Sequence, residues 1–124
     1  MTQPRRSAGI LIVEDEFVIA MDLAIILQGA GYKVLGPVSS VAQALELLRH
    51  WRPEGALLDV VLRNGERVTP VARVLAAMEV PFMLASAQAS EHLAQDEVLT
   101  GAVNVGKPVD AQALTTQLKA LLAA

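Results

Sequence analysis

Five short apolar runs, each followed by a segment with helical character, constrain this chain more than any other feature. The runs are Gly9–Val13, Lys33–Val38, Ala56–Val60, Phe82–Ala85 and Ala102–Val105. The segments after them are Phe17–Gln28, Val41–Trp51, Val68–Met78, the more polar Ser90–Leu99, and Ala111–Leu122. The first run is continuous and rich in β-branched residues, as befits a strand buried on both faces. In the first helix Val18, Met21 and Ile25, with Leu27 or Gln28, mark the faces, and Gly29 and Gly31 supply the stop. Ser40 followed by Gln43 is a capping-box pattern, and Pro53 ends the second helix. Gly65 marks a turn, Pro81 leads into the fourth strand, and Asp110 is placed to cap the last helix. Strands alternating with helices imply an α/β fold of (βα)5 type. Its parallel sheet is doubly wound, with helices on both faces and right-handed crossovers.

A chain of 124 residues suits one domain and can bury a core without staples. Met1–Ser7 reads as a flexible polar tail, and residues 8–124 as the domain. With only four aromatic residues, the core must be built from Leu, Val, Ile, Ala and Met. The absence of cysteine excludes a disulfide scaffold and a thiolate metal site, and it fits a reducing cytoplasm. Net charge is −3 and the ten Lys and Arg are scattered, which argues against direct nucleic-acid binding. The apolar stretch after Arg5-Arg6 is too short for an export signal, and Asp22 interrupts the other long apolar segment, so no membrane span is expected.

In open sheets of this type, ligands bind outside the carboxyl ends of the strands. The first strand ends in Glu14-Asp15-Glu16, the third in Asp59, the fourth in Ser86 and the fifth in Lys107-Pro108. Two or three carboxylates, a hydroxyl and an ammonium therefore converge on one edge. Adjacent carboxylates repel and raise each other's pKa, and a hard divalent cation removes that penalty. Mg²⁺ takes one or two carboxylates and adds phosphate oxygens from a partner. Lys107 and Ser86 suit the remaining phosphoryl oxygens, and a carboxylate among the acids can serve as nucleophile. Read singly, these residues are bland: Glu16 suits a helix N-terminus, Asp59 a cap, Ser86 a loop and Lys107 a surface.

Together the four motifs resemble the receiver domain of a bacterial two-component response regulator, over Ala8–Ala123. "VEDE" is similar to the family's acidic pair, which makes Glu14 and Asp15 the Mg²⁺ acids. "LLDV" resembles the phosphoacceptor segment with Asp59 as nucleophile, "LASA" the switch segment with Ser86, and "GKPV" the lysine motif with Lys107. The resemblance further implies the backbone carbonyl of Val61 as an Mg²⁺ ligand and, often, a cis peptide between Lys107 and Pro108. It implies a flavodoxin-like sheet of order 2-1-3-4-5 and a cytoplasmic, stand-alone phosphoprotein of a divergent single-domain type. Its phosphoryl donor would be a sensor histidine kinase or histidine phosphotransfer protein. Its output would be contact with an unknown downstream protein, and a homodimer stays open.

The departures from the family's pattern fall at Arg63, where a Pro is common, at Asn104, where the switch aromatic lies, and at Val109. The loop "VLRNGERV" is also a residue or two short. Without the aromatic, the usual coupled movement cannot operate as drawn, whereas Ser86 can still move toward a phosphoryl group. Two other classes stand beside this one: a degenerate receiver that only docks, and a small Mg²⁺-dependent phosphatase on the same fold. "DVV" lacks the second acid of aspartate-nucleophile phosphatases, and "LASAQ" is not a hydrolase nucleophile elbow. His50 and His92 lack partners for a metal, and Trp51 is expected to pack at the end of the second helix. Arg63 and Arg67 lie near the expected pocket, with a solvated charge as their plain reading.

Overall fold

The computed structural model describes residues 6–62, 65–87 and 97–123. Strand β1 (Arg6–Val13) leads into helix α1 (Phe17–Gly29), and β2 (Val34–Val38) into α2 (Val41–His50). β3 (Trp51–Leu58) is followed by α3 (Thr69–Ala77), then β4 (Phe82–Leu84), and the chain closes with α4 (Ala111–Ala123). The four strands form a parallel sheet of order β2-β1-β3-β4.

The strand pattern explains the layers. Successive side chains of a strand point to opposite faces. Leu11 and Val13 of β1 pack with Val41, Leu48, Val71 and Leu75 from α2 and α3. Ile10 and Ile12 pack with Leu23 and Leu27 of α1 and Leu114 and Leu118 of α4. The chain is thus doubly wound, as the alternation of runs predicts. Gly9 is required where β1 passes β2: a Cβ there would collide with the Lys33 carbonyl, which accepts the Ile10 N–H at 2.8 Å.

Helix ends follow the expected chemistry with one change. Ser40 Oγ accepts the Gln43 N–H at 3.2 Å, but Gln43 reaches back to the N–H of Ser39, at 2.9 Å, rather than to Ser40. Glu66 adds a second cap, its carboxylate accepting the Val41 N–H at 3.1 Å. Asp110 accepts the Ala113 N–H at 3.0 Å.

Several expectations need correction. The second helix stops at His50, and Trp51 opens β3 instead of packing as the helix's last residue. Pro53 therefore lies inside a strand, in the part of β3 that precedes its pairing with β4 at Ala56. Val18, Met21 and Ile25 do not face the core: with Phe17 they stand exposed, while Ala20, Leu23, Ala24 and Leu27 are buried. β1 begins at Arg6, and residues 1–5 lie outside the described residues. Ser90–Leu99 falls mostly outside them as well, and its described end, Glu97–Leu99, is a 3₁₀ turn.

The fifth run occupies its expected place beside β4, but as a single bridge between Leu84 and Asn104. Leu84 N–H donates to Val103 and Val105 N–H to Leu84, both at 2.8 Å. Among the described residues, no helix is long and apolar enough to cross a membrane.

Candidate functional site

The site is assembled by continuing the sheet's hydrogen bonds past the last apolar residue of each strand. Glu14 N–H donates to Val38 at 2.9 Å, Asp59 N–H to Val13 at 2.9 Å, and Ala85 N–H to Leu58 at 2.9 Å. Glu14, Asp59 and Ser86 are thereby fixed side by side at one edge, each less than a tenth exposed. The loop after Asn104 brings Lys107 over Glu14 and Asp59, and the peptide between Lys107 and Pro108 is cis.

One ammonium serves two acids. Lys107 Nζ lies 2.7 Å from Glu14 Oε1 and 3.2 Å from Asp59 Oδ2. The contact with Asp59 is a hydrogen bond, whereas Glu14 Oε1 is buried and accepts no well-aligned hydrogen bond, so its contact is an ion pair by distance alone. Its other oxygen, Oε2, accepts the Glu16 N–H at 3.2 Å. Asp15 is half-buried, and oxygens of Glu14, Asp15 and Asp59 all lie within 4.8 Å of one another.

The electrostatics follow from burial. Loss of solvent pushes the Glu14 carboxyl up to about 7, against the pull of Lys107 and of the Glu16 N–H, with the Asp59 charge adding to the rise. Desolvation also raises Asp59, again opposed by Lys107. For Lys107 desolvation acts downward, but Glu14 and Asp59 outweigh it and hold the ammonium above its ordinary range. Carboxylates this close to one another repel, and burial raises the cost of their charge.

These donors fit a hard divalent cation. They are all carboxylate oxygens, they are mutually close, and two of the three acids, Glu14 and Asp59, are buried. Val61 sits two residues past Asp59 in a small antiparallel pairing with Arg67. The hydrogen bonds of that pairing belong to its neighbours, Leu62 to Glu66 and Val68 to Val60, not to the Val61 carbonyl.

The structure therefore brings together Glu14, Asp15, Asp59 and Lys107, with Ser86 on the adjoining strand end. Arg63 lies outside the described residues, and Glu16 begins α1 without a side-chain cap. The sequence reading missed what Asn104 does. It registered Asn104 only as a missing aromatic, yet its amide is hydrogen-bonded to Ser86 and Gly106. The one signal in the sequence was a polar residue at the end of a run facing the Ser86 strand. On the other side of the acids, Phe17 and Met21 form a groove with Pro37, Val38 and Ser39 that opens onto Glu14 and Asp15.

Residues 10–119 match the family model described as response regulator receiver domain. The transcriptional regulatory protein PdtaR of Mycobacterium tuberculosis is 28% identical over 92 residues, 74% of this chain and 43% of its own length. The phyllosphere-induced regulator PhyR of Methylorubrum extorquens is 34% identical over 80 residues, 63% of this chain and 30% of its own length. The chain thus spans less than half the length of these curated relatives. Among solved structures, the BeF3-activated conformation of SdrG from Pseudomonas melonis Fr1 is 38% identical, with a TM-score of 0.76 over 92% of this chain and 95% of that one.

Proposed function

The chain belongs to the response regulator receiver domain family, and from that premise we propose that Asp59 accepts a phosphoryl group from a phosphohistidine of a sensor kinase or phosphotransfer protein. The observation that carries this reading is the convergence of Asp59, two further acids and Lys107 at one sheet edge. An Asp59 carboxylate oxygen attacks phosphorus in line with the P–N bond. That bond breaks, the imidazole nitrogen keeps its electron pair, and a mixed anhydride forms on Asp59.

Each group at the edge has a part. The Lys107 ammonium, already 3.2 Å from Asp59, offsets the charge of the phosphoryl oxygens. Ser86 offers them a hydroxyl hydrogen bond. Glu14, Asp15, Asp59 and the Val61 carbonyl would hold Mg²⁺, which when bound neutralises charge on the transferring group. The exposed apolar face of α1 borders the acids and suits contact with the donor protein. Output follows from a shift in the loops after β3 and β4, communicated to a downstream protein. A relative with a BeF3-activated conformation supports such a shift.

The test is intact mass after incubation with acetyl phosphate and Mg²⁺, beside Asp59→Asn and a metal-free control. A single phosphoryl gain by the wild type alone, and only with metal, is expected. A second reading, docking without phosphorylation, is favoured by Asn104 in place of the aromatic. No gain from acetyl phosphate or from a phosphohistidine donor, with no Mg²⁺ binding, would replace the first reading by the second.

A further inference from the structure

Asn104 and Ser86 are 18 residues apart in sequence, yet one planar amide satisfies both main-chain polar groups of the serine. Asn104 Oδ1 accepts the Ser86 N–H at 3.1 Å, and Nδ2 donates to the Ser86 carbonyl at 3.2 Å. The same oxygen accepts a second N–H, from Gly106, at 2.9 Å. Gly106 has a positive φ of 74° and stands immediately before Lys107. One side chain thus ties the residue that carries the hydroxyl to the turn that carries the ammonium.

The chemistry of this clasp is specific. It needs an acceptor and a donor at the tip of a short side chain, in one plane. An aspartate would keep the acceptor contacts but face the Ser86 carbonyl with another oxygen. A leucine has a similar shape and makes none of the three bonds. The backbone bonds of Leu84 with Val103 and Val105 flank the clasp and hold Asn104 in register, so the amide has a fixed base.

We propose that Asn104 is a positioning residue for phosphoryl transfer, holding Ser86 and the Lys107 turn as one unit so that hydroxyl and ammonium meet the phosphoryl oxygens together. The inference rests on the phosphoacceptor reading of Asp59. It also gives the site a hydrogen-bonded link between the two groups that face the phosphoryl oxygens. A merely structural Asn104 would steady the fold without regard to whether Ser86 has a hydroxyl.

A double-mutant cycle separates the two. The rate of phosphoryl gain from acetyl phosphate with Mg²⁺ is followed by intact mass for wild type, Asn104→Leu, Ser86→Ala and the double variant, all at a temperature where each is folded. Asn104→Leu is expected to slow the wild type by about tenfold. In the Ser86→Ala background the further loss should be no more than about threefold, the remainder passing through Gly106. If Asn104→Leu does not fold, Asn104→Asp replaces it in the same cycle with the same expected convergence. Equal losses in both backgrounds, or no loss at all, would overturn the inference alone. A wild type that gains no phosphoryl group would overturn the phosphoacceptor reading and this inference with it.

Discussion

The middle of the sheet and its carboxyl edge are built from the same strands and do opposite things to stability. In the middle, Ile10, Ile12, Leu57 and Met83 are fully buried among apolar neighbours, and burial there is favourable at every pH. One or two residues further along the chain, Glu14 and Asp59 are nearly as buried, and burial raises both carboxyls toward neutrality. The lesson is that depth alone does not stabilise. The edge is held in place by the middle and remains strained in charge, a condition that a bound divalent cation would relieve.

The sharpest way to test this contrast is to weaken the middle. Leu57→Ala should lose about 2–5 kcal/mol in urea unfolding while leaving the phosphorylation rate of the folded protein within about twofold. A large drop in that rate would mean the two regions are not separable. The next effect concerns the edge. Glu14 titrates near 7 when folded and near 4.5 when unfolded, so between these values the folded state holds the extra proton. Stability without divalent cation must therefore fall as pH rises through that window, by roughly 3 kcal/mol, with Asp59 contributing in the same direction. Glu14→Gln should flatten the profile, and added Mg²⁺ should lift its alkaline side. A cation-free profile that rises over the same range would break the comparison. The smallest effect calibrates both. Ser40→Ala removes a cap whose bond is to the Gln43 N–H and not to the acids, and should cost about 1 kcal/mol, with no change in the pH profile or in phosphoryl uptake.

Much of this was legible in the sequence, for physical reasons. β1 announces itself because a strand covered on both faces needs an unbroken apolar run, and the acids after Val13 mark where the apolar run ends. Ser40 and Asp110 are legible because caps are local chemistry. α1 is different. It is apolar nearly all round, so spacing could not say that Leu23 and Leu27 face inward while Met21 and Ile25 face out. The start of β3 was hidden because α2 passes directly into extended backbone at Trp51, without a turn residue to announce it. Asn104 was legible only in part: its bond with Gly106 is local, but the two that join it to Ser86 cross the fold and leave no local pattern.

Lys107 carries a final consequence. Its ammonium rests on Glu14 and Asp59 as an internal counter-ion, so an arriving cation competes with it for the acids' oxygens and an arriving anion competes with the acids for it. A ligand that satisfies the acids releases the lysine, and a ligand that engages the lysine exposes the acids. The two occupancies must therefore reinforce each other, and by thermodynamic reciprocity each raises the other's affinity by the same factor. With Asp59 as the proposed phosphoacceptor, a single side chain shared between two acids would make the site a two-input device, responsive to cation and phosphoryl donor jointly more than to either one.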